Sequence, residues 1–319
     1  MSVSNNDNNT WQQAQDLVPK LTHGKYKGQA GKIAVIGGCR EYTGAPYFSA
    51  ISALRVGADL SHVFCTEGAA TVIKSYSPEL IVHPYLPETI DQLPNASASI
   101  IQWIDKFDAL VIGPGLGRED AILSCVADVI KNAREKDIPM IIDADGLWLI
   151  NKSPELIQGY KRAILTPNAA EFRRLQDLAT KNNNSHTMED SLGAISRWLN
   201  GPVIFKKAAT DVITSGTLTV ECSEEGSLRR AGGQGDVLSG CIATFVAWAV
   251  KGGALPSSSS RPSSAIDDTK ISKVLIAAGY GGAIVTRRAS KKAFAVEKRA
   301  MGATHVIAHL GRAVEELFD

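Results

Sequence analysis

The 319-residue sequence has almost no net charge, with 34 Lys and Arg against 33 Asp and Glu. That balance excludes a general attraction to nucleic acid or to an anionic membrane surface, and no basic run supplies one locally. Cysteine is scarce. Cys39, Cys65, Cys125, Cys222 and Cys241 form an odd set without CxxC spacing, which argues against a disulfide framework or zinc site and for buried thiols in a reducing compartment. No apolar run approaches the roughly 20 residues of a membrane-spanning helix. The opening MSVSNNDNNT is neither apolar nor Arg-rich, so it predicts no targeting segment and a cytosolic protein. The dinucleotide fingerprint is also missing. Gly37, Gly38 and Gly44 follow the first strand at the wrong spacing, which disfavours a Rossmann dehydrogenase.

What the sequence does have is Gly232-Gly233-Gln234-Gly235-Asp236, running into the apolar segment Val237 to Val250. Such a loop closes on a helix N-terminus, whose unpaired N–H groups and partial positive charge attract phosphate oxygens. Glycine lets the backbone approach them closely. Asp236 repels phosphate, so its place beside a phosphate cradle suits a general base acting on a hydroxyl. The alternative is a capped helix with a flexible entry loop.

Short aliphatic runs alternate with amphipathic segments along most of the chain. Strands are expected at Ile33–Ile36, Ser61–Cys65, Leu80–His83, Ala109–Gly113, Pro139–Asp143, Ala163–Thr166 and Val203–Lys206, then at Val212–Thr214 and Thr217–Cys222. This pattern predicts an α/β fold with a mainly parallel sheet covered on both faces, and an edge hairpin at Ser215-Gly216. Residues 1–19 are expected to be disordered or weakly ordered apart from a short helix at Trp11–Leu17. Length allows one large α/β domain or two smaller ones, and the Ser-rich stretch 251–270, expected to be a disordered insertion, does not separate domains, so residues 20–319 are expected to be one domain. Helices at Ile271–Ser290 and Thr304–Phe318 follow that stretch.

Several strand ends carry residues that a structural account does not require. Gly113-Pro114-Gly115-Leu116-Gly117 could let a planar group lie on bare backbone, or be a tight turn. Asp143 and Asp145 could hold Mg²⁺, or Asp145 could cap a helix. Asn168 caps the next helix, with a ligand role for Asn168 or Glu171 as an addition. Lys206 and Lys207 could meet a triphosphate, or be solvated. All lie at the edge where open α/β sheets bind ligands. His305 and His309 lack the intervening glutamate of a zinc helix, and Ser239 lacks a histidine partner, so neither is taken as a site.

In this order the motifs Lys27-Gly28-x-x-Gly31-Lys32, Tyr42-Thr43-Gly44-Ala45-Pro46-Tyr47, Lys74-Ser75-Tyr76-Ser77-Pro78, Gly113-Pro114-Gly115-Leu116-Gly117, Asp143-Ala144-Asp145-Gly146, Thr166-Pro167-Asn168-x-x-Glu171-Phe172 and Gly232-Gly233-Gln234-Gly235-Asp236 resemble the eukaryotic ATP-dependent (S)-NAD(P)H-hydrate dehydratases. The resemblance implies a ribokinase-like three-layer sandwich and a lyase of metabolite repair. Its substrates would be ATP and hydrated NADH or NADPH (NADHX, NADPHX), with Mg²⁺ and without nucleic-acid or membrane partners; homo-oligomerisation stays open. It further implies that Gly117, Asn168, Ala169, Ala170, Glu171, Phe172, Arg173 and Arg174 contact the hydrated dinucleotide and that Asp236 faces its hydroxyl as catalytic base. Lys207, Ala208, Ala209, Thr210 and Asp211 would hold ATP together with Gly226, Ser227, Leu228, Arg229, Arg230, Ala231, Gly232, Gly233, Gln234 and Gly235. Ala208 stands where the family usually has glycine, and Ala169-Ala170 replace bulkier residues. The nearest rival is a vitamin-alcohol kinase of the same fold, which keeps phosphate on its product; a non-catalytic nucleotide sensor is a second.

Overall fold

Aliphatic strands can be buried on both faces only if helices cover both sides of the sheet. In the computed structural model, which describes residues 5–24, 26–183, 191–256 and 267–319, the aliphatic runs form β1 (Lys32–Ile36), β2 (Leu60–Thr66), β3 (Ile81–Leu86), β4 (Ala109–Ile112), β5 (Met140–Ile142), β6 (Ala163–Leu165), β7 (Val203–Lys206), β8 (Asp211–Thr214) and β9 (Thr219–Cys222). Their order across the sheet is β3-β2-β1-β4-β5-β6-β7-β8-β9. The first seven pair in parallel, and β8 and β9 turn back as the expected antiparallel edge.

Around the sheet lie α1 (Asn5–Leu17), α2 (Gly44–Val56), α3 (Glu67–Tyr76), α4 (Leu93–Ile101), α5 (Asp120–Glu135), α6 (Asp145–Lys152), α7 (Ala169–Asn183), α8 (Ser191–Leu199), α9 (Gln234–Lys251), α10 (Asp268–Glu297), α11 (Ala303–Ala308) and α12 (Leu310–Phe318). Successive strand residues point to opposite faces, and the core divides accordingly. Ile33, Val35, Val111 and Ile141 pack with residues of α2, α3, α9 and α10. Ala34, Ile36, Leu110 and Ile142 pack with residues of α4 to α8.

The helix that carries Asp236 is buried along most of its length. Every residue of α9 from Val237 to Ala249 is buried, and α9 packs against both α2 and α10. Close approach is possible because small residues face the contacts. A methyl group on Gly240 would stand 2.1 Å from the Ser49 carbonyl oxygen of α2, and one on Gly282 would stand 2.6 Å from an Ile242 side-chain carbon.

Two expectations need correction. The polar start of the chain is not disordered as far as Thr10: helix α1 begins at Asn5. Ala14 and Leu17 are buried, and the Trp11 ring lies 5.1 Å from that of Phe318 and 6.5 Å from that of Tyr280. These contacts hold the part of the helix from Trp11 to Leu17. The expected helix Thr304–Phe318 is two, α11 and α12, which meet at His309. Within the Ser-rich stretch, residues 257–266 lie outside those described. Its ends are ordered: Leu255 is buried and its N–H bonds to the Ala249 carbonyl at 2.9 Å, and Asp267 caps α10. All the cysteines are buried and unpaired. Among the described residues no helix is long and apolar enough to cross a membrane.

Replacing Gly240 by Ala should lower stability by roughly 1–3 kcal/mol, since helices α2 and α9 would have to separate. Chemical denaturation reads this directly, and an unchanged midpoint would contradict the packing described.

Candidate active site

The strand ends expected to carry ligands converge at the C-terminal edge of β4 to β7. Gly113, Gly115 and Gly117 all have positive φ, at 121°, 58° and 80°, a conformation that side chains disfavour. At Gly113 a side chain would also strike the Asp143 carbonyl oxygen, 1.9 Å from an added carbon. The loop after β4 thus lies directly on the turn after β5.

Within that turn the Asp143 side chain is only 1% exposed, and its Oδ1 accepts a hydrogen bond from Lys207 Nζ at 2.7 Å. The other oxygen, Oδ2, is buried without a hydrogen-bond partner. Lys207 comes from the end of β7, and its backbone N–H is fixed by the Pro167 carbonyl at 3.0 Å. A side chain on Gly235 would stand 3.4 Å from the Lys207 ammonium, which brings that ammonium under the glycine loop. Burial opposes the charge of Lys207, but Asp143 and Glu171 outweigh it and hold its pKa above the ordinary value. Burial raises the Glu171 pKa, against the attraction of Lys207.

Asp236 completes this cluster from the first turn of α9, behind Gly233 at φ 86°. Burial, and then repulsion by Asp143, push its pKa up to about 7, with Lys207 acting in the opposite sense. A carboxylate of that basicity can take a proton from a hydroxyl at neutral pH. Ser239 is occupied structurally, donating to the Asp236 carbonyl at 2.8 Å and lying 3.0 Å from Ser49 Oγ. His305 Nδ1 accepts the Gly302 N–H, a helix-start role and not a metal-binding one.

Beside Gly235 opens a cavity of about 420 Å³. Of the residues assigned to ATP, Lys207, Ala208, Ala209, Asp211, Gly226, Ser227, Leu228, Arg230, Gln234 and Gly235 line it, whereas Thr210, Arg229, Ala231, Gly232 and Gly233 do not. Asp211 also braces the wall from within. Its Oδ1 accepts the Ala208 N–H at 2.9 Å and its Oδ2 accepts Arg287 Nε at 2.6 Å. Arg287 also donates to the carbonyls of Ala208, Ala209 and Glu224. Sequence reasoning missed this clamp, because Arg287 lies in α10 with no local pattern linking it to residue 211. Ala208 is not among the non-glycine residues at positive φ, so alanine fits the loop without backbone strain.

The opposite wall differs from expectation at two residues. Asp145 neither caps α6 nor joins a set of three metal-ligating side chains, of which the described residues contain none. Instead its carboxylate receives the Gly117 N–H at 3.1 Å and Arg118 Nε at 2.9 Å. Asn168 and Glu171 form reciprocal caps at the start of α7: Asn168 Oδ1 accepts the N–H groups of Ala170 and Glu171, and Glu171 Oε2 accepts that of Asn168. Ala169, Ala170, Arg173 and Arg174 are exposed. Phe172 is buried in the core at 4% exposure with Lys206 over its ring, so its side chain does not face the site.

The strand order, the two helical layers and an acid one turn into a glycine-entered helix define a ribokinase-like fold. A ribokinase-like superfamily protein from Enterococcus faecalis shares it with a TM-score of 0.73 at 18% identity, over 96% of this chain and 94% of that one. A family model described as NAD(P)H-hydrate dehydratase matches residues 33–311, and the chain belongs to that family. It is 44% identical to the ATP-dependent (S)-NAD(P)H-hydrate dehydratase of Homo sapiens, over 98% of this chain and 85% of the relative. The ADP/ATP-dependent NAD(P)H-hydrate dehydratase of Bacillus subtilis, co-crystallised with ATP/Mg²⁺, has a TM-score of 0.62 at 18% identity, covering 96% and 97% of the two chains.

The raised Asp236 pKa makes a stability prediction. Between the unfolded value of 3.8 and the folded value of about 7, the folded protein keeps a proton that the unfolded chain has lost, so stability falls as pH rises through this window. Asp236→Asn should therefore raise the melting temperature at pH 7.5, by a free energy on the order of 1–3 kcal/mol, and the gain should vanish below pH 4. A variant less stable than the parent at pH 7.5 would refute the buried-carboxylate picture. Arg287→Ala should raise the KM for ATP by about tenfold, through loss of the Ala208–Asp211 clamp; an unaltered KM would detach Arg287 from the nucleotide wall.

Proposed function

We propose that the chain dehydrates the S epimer of NADHX and NADPHX to NADH and NADPH at the expense of ATP, as its relatives are named for doing. The observation that carries this reading is Asp236, a carboxylate with a pKa near 7 in the first turn of α9, under the influence of the Asp143 and Lys207 charges and next in the chain to Gly235, which lines the nucleotide cavity. ATP occupies that cavity, with its terminal phosphates toward the N-terminus of α9. Gly117, Asn168 to Glu171, Arg173 and Arg174 face the dinucleotide.

Hydroxide is a poor leaving group and phosphate a better one. Asp236 accepts the hydroxyl proton as the hydroxyl oxygen bonds to the γ-phosphorus, and ADP leaves. The backbone N–H groups at the start of α9 and the Lys207 ammonium stabilise the charge on the transferring group. The ring nitrogen's lone pair then breaks the carbon–oxygen bond and expels phosphate. Loss of a proton from the adjacent ring carbon restores the double bond. Overall, hydrate and ATP become reduced cofactor, ADP, phosphate and a proton.

Mg²⁺ fits the carboxylates present. Asp143 Oδ2 is a buried oxygen without a donor, and Glu171 belongs to the same charged cluster. These residues would hold the ion, which when bound would supply neutralisation of phosphate charge. A cytosolic location and one catalytic domain over residues 20–319 complete the reading, supported by the unpaired buried cysteines and by one sheet shared by both helical layers.

Incubation with hydrated NADH, Mg²⁺ and ATP should return the absorbance of the reduced nicotinamide with one free phosphate per turnover. A stable phosphorylated product would mean a kinase instead, and nucleotide binding without turnover a sensor. Asp236→Asn should lose roughly 10²–10⁴-fold in kcat while still binding ATP. In the parent protein kcat/KM should climb with pH as Asp236 deprotonates and level off above about pH 7; a profile flat from pH 5 to 8 would remove Asp236 from the base role.

A further inference from the structure

One group of side chains has no part in the proton and phosphoryl transfers above, although one member, Arg174, belongs to the wall proposed to face the dinucleotide. Three cations converge on the indole of Trp148: Arg118 at 4.3 Å from the ring centroid, Arg174 at 5.8 Å and Lys152 at 5.9 Å. They come from three places in the chain, namely the loop after β4, the end of α6 and the second turn of α7. Gathering like charges at one ring costs repulsion that a bound anion offsets. Arg118 keeps about half of its side chain exposed, and Arg174 is also exposed. The facing carboxylates are Asp145, paired with Arg118, and Glu171, on which Arg174 acts.

The group borders the carboxylate cluster through two links. Asp145 ties Arg118 to Gly117, and Glu171 connects Arg174 electrostatically to Asp143 and Lys207. None of Gly117, Arg118, Trp148 and Arg174 lines the nucleotide cavity. The group therefore lies outside the volume read as the ATP site. Guanidinium groups grip phosphate through planar paired donors, and an aromatic face beside them suits a flat ring.

Resting on the dehydratase reading, we infer that Arg118 and Arg174, backed by Trp148, form the subsite for a phosphate group of the hydrated dinucleotide, holding it at a distance from the reacting ring. Two phosphates share this chemistry: the pyrophosphate common to NADHX and NADPHX, and the 2′-phosphate of NADPHX alone. Lys152 adds long-range attraction without a place in the grip.

The experiment measures kcat and KM for NADHX, NADPHX and ATP in the parent protein, in Arg174→Gln and in Arg118→Gln/Arg174→Gln, with Trp148→Phe as a milder variant. Arg174 is exposed, so Arg174→Gln alone tests the idea if loss of the Arg118–Asp145 pair disturbs the loop. The KM for hydrate should rise about tenfold in Arg174→Gln and further in the double variant, with kcat changed less than about twofold and the KM for ATP unchanged. An equal rise for both hydrates assigns the pyrophosphate; a rise confined to NADPHX assigns the 2′-phosphate. Unchanged KM for both hydrates overturns the subsite whatever happens to kcat, as does a rise for ATP instead. A parent protein that repairs neither hydrate with ATP overturns the dehydratase reading itself, which separates that failure from failure of the subsite.

Discussion

The contact between Lys207 and Asp143 is the constraint on which the site depends. A carboxylate at 1% exposure is tolerable only when paired, and the Lys207 ammonium at 2.7 Å is its partner. The same ammonium also attracts Glu171 and Asp236. Burial and the Asp143 charge raise the proton affinity of Asp236, and Lys207 restrains the rise. A base near pKa 7 is thus the product of its own burial, a buried anion that adds to the rise and a half-buried cation that opposes it, the two drawn from the ends of different strands. Moving either end would unsettle both.

That balance requires close backbones. The loop after β4 rests on the turn after β5 at Gly113, and the α9 entry rests over Lys207 at Gly235. On the other side of the loop, Gly37 touches Pro114, whose oxygen would be 2.1 Å from an added side-chain carbon. The glycines therefore do more than permit phosphate approach. They allow successive strand-end loops to stack so that side chains far apart in the chain reach the same few ångströms. Small residues between α2, α9 and α10 extend this logic into the core, where they fix the axis along which Asp236 is presented.

Arg287 shows a different use of charge. Its guanidinium binds Asp211 and three loop carbonyls, so Asp211, which lines the nucleotide cavity, also anchors its wall. The alanine at 208, which departs from the glycine usual in the family, sits within this clamp in an ordinary backbone conformation. In the same way Asp145 secures Gly117 and Arg118, and Asn168 with Glu171 closes the start of α7. Much of the polar inventory at the sheet edge builds the walls, leaving few groups for chemistry.

The sequence by itself determined what depends on near neighbours. The alternation of aliphatic and amphipathic segments carries the parallel sheet, Ser215-Gly216 carries the edge hairpin, and the spacing of Gly232 to Asp236 carries an acid at a helix start, because each follows from local backbone geometry and periodicity. Tertiary structure alone decided which partners those residues meet. Lys207 finds Asp143 across 64 residues and Arg287 finds Asp211 across 76. Trp11 of helix α1 meets rings supplied by Tyr280 and Phe318, from far along the chain. Phe172 turns inward although its neighbours face solvent, since the core of the α4 to α8 layer takes it. Local propensity specifies the elements; burial, with its demand that every charge taken from water be paired, specifies how their ends combine.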